Sequence, residues 1–118
     1  MKLLVPLLGE QVAPRFDLAV EVLIVCGDET GQLSGEPRIV LLPGPSADEL
    51  CGLILKEGVE LVVCGGIEES HFQYLAWKKV RVIDRVIGSW PGVVGPAMAG
   101  ELEVGAIVRG DSVPGGGA

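Results

Sequence analysis

The stretch KLLVPLLGEQVAPRFDLAV, residues 2–20, decides the fold. Its opening run, Lys2 to Leu8, is apolar without alternation and stops at Gly9, the pattern of a strand buried on both faces. Such a strand belongs in the middle of a sheet. The loop that follows it, GEQVAPRFDLAV (9–20), then lies at the strand's carboxyl end and carries one cation, Arg15, between Pro14 and Phe16.

Working outward, AVEVLIVCG (19–27) and PRIVLLPG (37–44) are rich in β-branched residues and are separated by DETGQLSGE, whose Asp28, Gly31 and Gly35 supply turn chemistry. Residues 20–43 therefore read as an antiparallel hairpin. SADELCGLILKEG places Ser46 and Glu49 at capping-box spacing and ends at Gly58, with Leu50, Leu53 and Ile54 on one face, so a helix is predicted there. VELVVCGG is a second buried strand. EESHFQYLAWKK is a helix with acids in its first turn and lysines in its last, VRVID is another strand, and Ser89 and Pro91 open a final helix running to about Leu102. The order β-β-β-α-β-α-β-α predicts an α/β fold with a mixed five-stranded sheet and helices on both faces. Right-handed crossovers would set the first strand beside the one ending at Cys64. Residues 1–104 are expected to form a single domain and 105–118, rich in Gly, a flexible C-terminal tail.

A chain of 118 residues has 16 acidic against 9 basic side chains and a net charge of −7, which opposes binding to a phosphate backbone. Its one basic cluster, Lys78, Lys79 and Arg81, is read as a solvated helix end. Three cysteines, Cys26, Cys51 and Cys64, without a C-x-x-C spacing imply neither a disulfide framework nor a zinc knuckle, and point to a cytoplasmic protein. The amino-terminal run is broken by Pro6 and reads as a strand rather than a signal peptide, and no segment has the length of a membrane span. The expected partners therefore exclude nucleic acid and membrane.

In open α/β sheets ligands gather at the carboxyl ends of strands, so residues 9–17 and CGGIEESH (64–71) are expected to form one shared edge. Gly65 and Gly66, between a strand and a helix N-terminus, are the pattern that turns backbone N–H groups toward an anion. His71, the only histidine, and Cys64, the last residue of its strand, are the candidate metal ligands at that edge. No Walker, dinucleotide, G-x-S-x-G or H-E-x-x-H motif occurs, and no orienting third member for a Cys64–His71 pair can be read from spacing. No catalytic residue is assigned.

Three segments, VPLLGEQVAPRFDLAV, GVELVVCGGI and VIGSWPGVVGPAMAGEL, together resemble the dinitrogenase iron–molybdenum cofactor biosynthesis family, the NifX-like domain also found at the end of NifB proteins. The resemblance covers roughly residues 2 to 102. It implies a ribonuclease H-like α/β sandwich and a non-enzymatic binding or carrier role for an iron–sulfur or molybdenum-containing cluster, with Arg15, Phe16, Gly65, Gly66 and Ile67 at the motif positions and protein partners in cluster assembly. His71 and Cys64 are proposed as ligands from their chemistry, not from the motif. Two departures stand out: Glu68 and Glu69 follow the CGGI stretch where the family more usually has small residues, and Pro96 lies inside the last helix. The competing expectations are a small-molecule or nucleotide-binding regulatory domain using the Gly65–Gly66 helix N-terminus, and a small thiol hydrolase.

Overall fold

A computed structural model describes residues 1–109. The elements run β1 (Lys2–Leu8), β2 (Gln11–Val12), a 3-10 turn (Phe16–Leu18), β3 (Glu21–Gly27), β4 (Leu33–Leu41), α1 (Ala47–Lys56), β5 (Leu61–Val63), α2 (Glu69–Trp77), β6 (Arg81–Ile83) and α3 (Trp90–Met98). The sheet is mixed, in the order β4-β3-β1-β5-β6, with β3 antiparallel to both β1 and β4 and with β5 parallel to β1 and β6.

The sheet has six strands rather than the expected five, because β2 pairs back on β1 through Leu7 opposite Val12 and Leu8 opposite Gln11. The reversal is a two-residue turn at Gly9 and Glu10, with Gly9 at φ 65°, a conformation glycine adopts without a steric penalty. Pro6 is tolerated in the central strand because pairing with β5 ends at Leu4 opposite Val62; farther along, Ala13 N–H donates to the Pro6 carbonyl at 2.8 Å.

Side chains alternate across the buried strands and make two cores. On one face Leu3, Val5, Leu23 and Val63 pack against Val93, Val94, Ala97 and Met98 of α3. On the other, Leu4, Val22, Ile24 and Val62 pack against Leu50 and Ile54 of α1 and Leu75 of α2. Ser46 caps α1 as the sequence predicts, its hydroxyl accepting from Glu49 N–H at 3.1 Å.

The last helix departs from expectation. It ends at Met98 rather than near Leu102, and Ser89 makes no side-chain cap. Gly100 at φ 77° turns the chain out of the helix, and Ala99 N–H closes on the Gly95 carbonyl. The tail expected from residue 105 begins with residues that return to the body: Val108 N–H donates to the Ile87 carbonyl at 2.7 Å, and the Val108 side chain packs on the α3 core. Residues 110–118 of that tail lie outside the described residues. Among the described residues no helix is long and apolar enough to cross a membrane.

Candidate functional site: the carboxyl edge of the sheet

β1, β5 and β6 run parallel, so the loops leaving their carboxyl ends converge. Backbone bonds splice them together. Gly66 N–H donates to Pro14 O at 2.7 Å and Phe16 N–H to Gly66 O at 2.8 Å, a short parallel bridge between the first loop and the glycine loop. Arg85 N–H donates to Gly65 O, Val12 N–H to Gly88 O and Trp90 N–H to Glu10 O, each at 2.9 Å, which ties in the loop after β6. The two loops predicted to share an edge do meet.

Within that edge the candidate residues separate into three roles. Phe16 is 1% exposed and Cys64 fully buried, both inside the core beneath α1 and α2, with Ile67 packed against it. Phe16 and the partly buried Ile67 hold the loops down on this core. Burial pushes the Cys64 thiol up to about 12, with Asp84 adding to the effect, so the free thiol is protonated at neutral pH.

The glycines serve the splice. A Cβ on Gly65 would lie 2.6 Å from Pro14 O and closer still to Ala13 O, so only glycine lets the first loop approach. Gly66 spends its N–H on Pro14 O. Of the expected anion cradle this one donor is taken, and α2 begins only at Glu69, with Glu68 at its cap position.

Arg15 is at the surface and His71 is half-buried. Arg15 grips Asp17 with two bonds, Nε to Oδ1 at 3.0 Å and Nη2 to Oδ2 at 2.9 Å. This hydrogen-bonded pairing holds the Asp17 carboxyl below the usual range and raises the Arg15 guanidinium further. The His71 ring lies 6.2 Å from the Phe16 ring, Nδ1 3.9 Å from Glu68 Oε1 and Nε2 4.0 Å from Asp48 Oδ1, at a groove between α1 and α2. Its enclosed Nδ1 has no hydrogen-bond partner among the described residues. His71 and Cys64 thus belong to different surroundings, one at the helix groove and one in the core. Among the described residues no three His, Cys, Asp or Glu side chains converge to hold a metal ion.

What the edge does offer is concave and apolar. Two clefts flank the ridge formed by Leu8 and Pro14. One, of about 580 Å³, runs past Leu18 and Val20 beside Arg15; the other, of about 560 Å³, runs past Val12, Gly65, Gly66 and Ile87 beside Arg85. A groove of about 680 Å³ lies on the β6 border of the sheet, lined by Lys79, Arg81 and Glu103 among others. Arg85 is the residue that sequence reading missed. The signal available was its place just after a strand on the same edge as Gly65.

No family model matches this chain, and no curated protein does. Solved structures do. The crystal structure of PH0822 superposes with a TM-score of 0.75 at 18% identity, covering 88% of this chain and 94% of that one. The crystal structure of a "putative dinitrogenase" (MJ0327) from Methanocaldococcus jannaschii gives 0.69 at 21% identity, covering 87% and 92%. The NMR structure of that protein gives 0.70 at 19%, covering 88% and 92%. The chain has the fold of these proteins. At such identities the likeness is one of architecture, carried over nearly the whole of each chain.

Proposed function

We propose that this protein is a non-enzymatic binding or carrier protein for an anionic iron–sulfur or molybdenum-containing cluster, taken as cargo at the carboxyl edge of the sheet. The observation that carries the reading is the pair of apolar clefts beside Arg15 and Arg85, at the strand edge where α/β sheets bind ligands. The fold shared with a protein described as a "putative dinitrogenase" supports it, as do the three segments that resemble the NifX-like family. The strand order, leaving aside the two-residue β2, is consistent with the ribonuclease H-like sheet which that resemblance implies.

The donor set limits the cargo. Among the described residues no three ligand-type side chains converge, and Cys64 is fully buried, which disfavours a cluster held by protein thiolates at this edge. A cluster arriving with its own ligand shell complete needs only a cation, an apolar wall and shape. The same buried thiol removes the support for a thiol hydrolase. The second reading, a small-molecule regulatory domain, is favoured by the size of the clefts, which fall within the range of small-molecule sites.

The test is to incubate the chain without oxygen with an isolated molybdenum–iron–sulfur cluster, pass it through gel filtration and assay iron and molybdenum. Stoichiometric co-elution, retained in Cys64→Ala, is expected. Metal eluting apart from the chain would remove the reading.

A further inference from the structure

We propose that the outer edge of β4 is a self-pairing surface: two copies of this chain join about a two-fold axis at Val40, their β4 strands antiparallel, so that two sheets become one. The inference is independent of the cluster reading and rests on β4 and the turn that follows it.

β4 ends the sheet on one side, and β3 is its strand neighbour on the other. One bond shows which of its backbone groups face outward. Leu42 N–H donates to Val20 O at 2.8 Å, and the register continues with Val22 opposite Val40 and Ile24 opposite Arg38. Hydrogen-bonded pairs alternate with non-bonded ones in an antiparallel ladder, so Arg38 and Val40 turn their N–H and C=O to β3 while Ile39 and Leu41 turn theirs away. Among the described residues no backbone group outside the ladder meets them.

The side chains are open as well. Ile39 stands opposite Leu23, on the face that α3 covers farther in, yet Ile39 is 50% exposed and Leu41 69%. Edge strands are commonly guarded by proline, charge or a bulge. The guards here occupy the first half of β4, where the register shifts between Ile24 and Cys26, Gly35 is left-handed at φ 74°, and Pro37 follows. The second half, Arg38 to Leu41, carries one charge, and it is bonded within the chain, Arg38 Nη2 to Glu57 Oε1 at 2.7 Å. What remains is a short unguarded template bounded by Pro37 and Pro43.

Those prolines and Arg38 select the partner and its register. With the axis at Val40, Ile39 lies opposite Leu41 of the second copy, and the two exchange both N–H···O bonds. Pro37 falls opposite Pro43 of the second copy, where neither strand has an N–H to lose. The exposed Ile39 and Leu41 side chains then pack across the join on one face, as stabilising cross-strand pairs do. An axis at Ile39 would set the Leu41 carbonyl against the Pro37 ring, and an axis at Arg38 would set the two arginines directly opposite each other. The ends match only when this sequence is read against itself, so the occupant is a second copy rather than a foreign strand.

The test uses the full chain. In sedimentation equilibrium the parent should show a dimer whose share rises with concentration. Leu41→Lys should be monomeric with an unchanged circular dichroism spectrum, since the side chain it replaces is exposed. Cross-linking then checks the register, in a Cys26→Ser background that removes the exposed native thiol. Val40→Cys should form a disulfide-linked dimer on mild oxidation, because a non-hydrogen-bonded pair on the axis brings its Cα atoms to about 4.5 Å. Ile39→Cys should link at least about tenfold more slowly, its counterpart lying on the diagonal at about 7–8 Å. A parent that stays monomeric up to about 1 mM, a dimer that survives Leu41→Lys, or faster linking through Ile39→Cys than through Val40→Cys would overturn the proposal.

Discussion

Gly65 and Gly66 are neighbours in sequence with unlike constraints. A side chain at Gly65 meets the Ala13 and Pro14 carbonyls, whereas a Cβ at Gly66 would sit 3.4 Å from Pro14 O, near ordinary contact. Gly65→Ala should therefore destabilise by about 2 kcal/mol or more, as overpacking against fixed backbone does, and Gly66→Ala by clearly less. Urea denaturation of the two variants compares them directly. The sequence marks the pair as special but not the cause: G-G before a helix has the same appearance whether it leaves room for an anion or for another loop. Arg15 and Phe16 show the same limit. Their position at a strand's carboxyl edge was legible, but adjacency hid opposite fates, since the 3-10 turn buries Phe16 and brings Asp17 onto Arg15. Arg85 escaped notice because a left-handed backbone has no signature in a residue other than glycine or asparagine.

At the scale of elements, the strongest signals were those that need no tertiary context. The run Lys2–Leu8, the hairpin and α1 were all readable because burial period, turn residues and caps agree. The Ser46 cap gives a measurable case: Ser46→Ala should cost about 1 kcal/mol in chemical denaturation, through loss of the acceptor for Glu49 N–H, with little change at the distant loop edge. β2 was missed because two residues carry no periodicity, though Gly9 followed by Glu10 was the available turn signal. The end of α3 was misjudged because Gly92, Gly95 and Pro96 make its extent depend on packing against the sheet rather than on propensity. On α2, Trp77 is 72% exposed with Lys78 Nζ 4.9 Å from its ring centroid. Trp77→Ala should accordingly shift the melting temperature little, whereas Leu75→Ala, which empties a fully buried position, should cost about 2–5 kcal/mol.

Over the whole molecule, surface carboxylates and the thiols of one core make stability depend on pH from both sides. Asp17, Asp28 and Glu57 are each held below their ordinary values, chiefly by hydrogen bonds to Arg15, Thr30 and Arg38. As pH falls, the unfolded chain takes up these protons first, so their contribution is present above the ordinary carboxylate range of about 4 and is lost on acidification through the lower folded values. Burial acts in the opposite sense on Cys51 and Cys64, raised to about 11 and about 12. The unfolded thiols ionise first as pH rises, so stability is intact below about 8.5 and declines through those folded values. Melting temperature against pH should show both limbs, with the alkaline limb flattened in Cys64→Ala even though that variant is less stable at neutral pH. The overall arrangement, a central β1 flanked by a hairpin and by parallel strands, was legible because long apolar runs alternate with helical patterns. Which residues face a ligand was not, because that is set by loop splices between positions fifty or more residues apart, such as Pro14 with Gly66.

The central claim is that this edge takes an anionic cluster without covalent help from the protein. It is tested most directly by locating molybdenum, through its anomalous scattering, in crystals of the chain grown with tetrathiomolybdate. The account predicts a molybdenum peak in one of the two clefts that share Leu8 and Pro14, within reach of the Arg15 or Arg85 guanidinium and separate from any side-chain sulfur or imidazole. A peak bonded to Cys64 or His71, or none in either cleft, would contradict it.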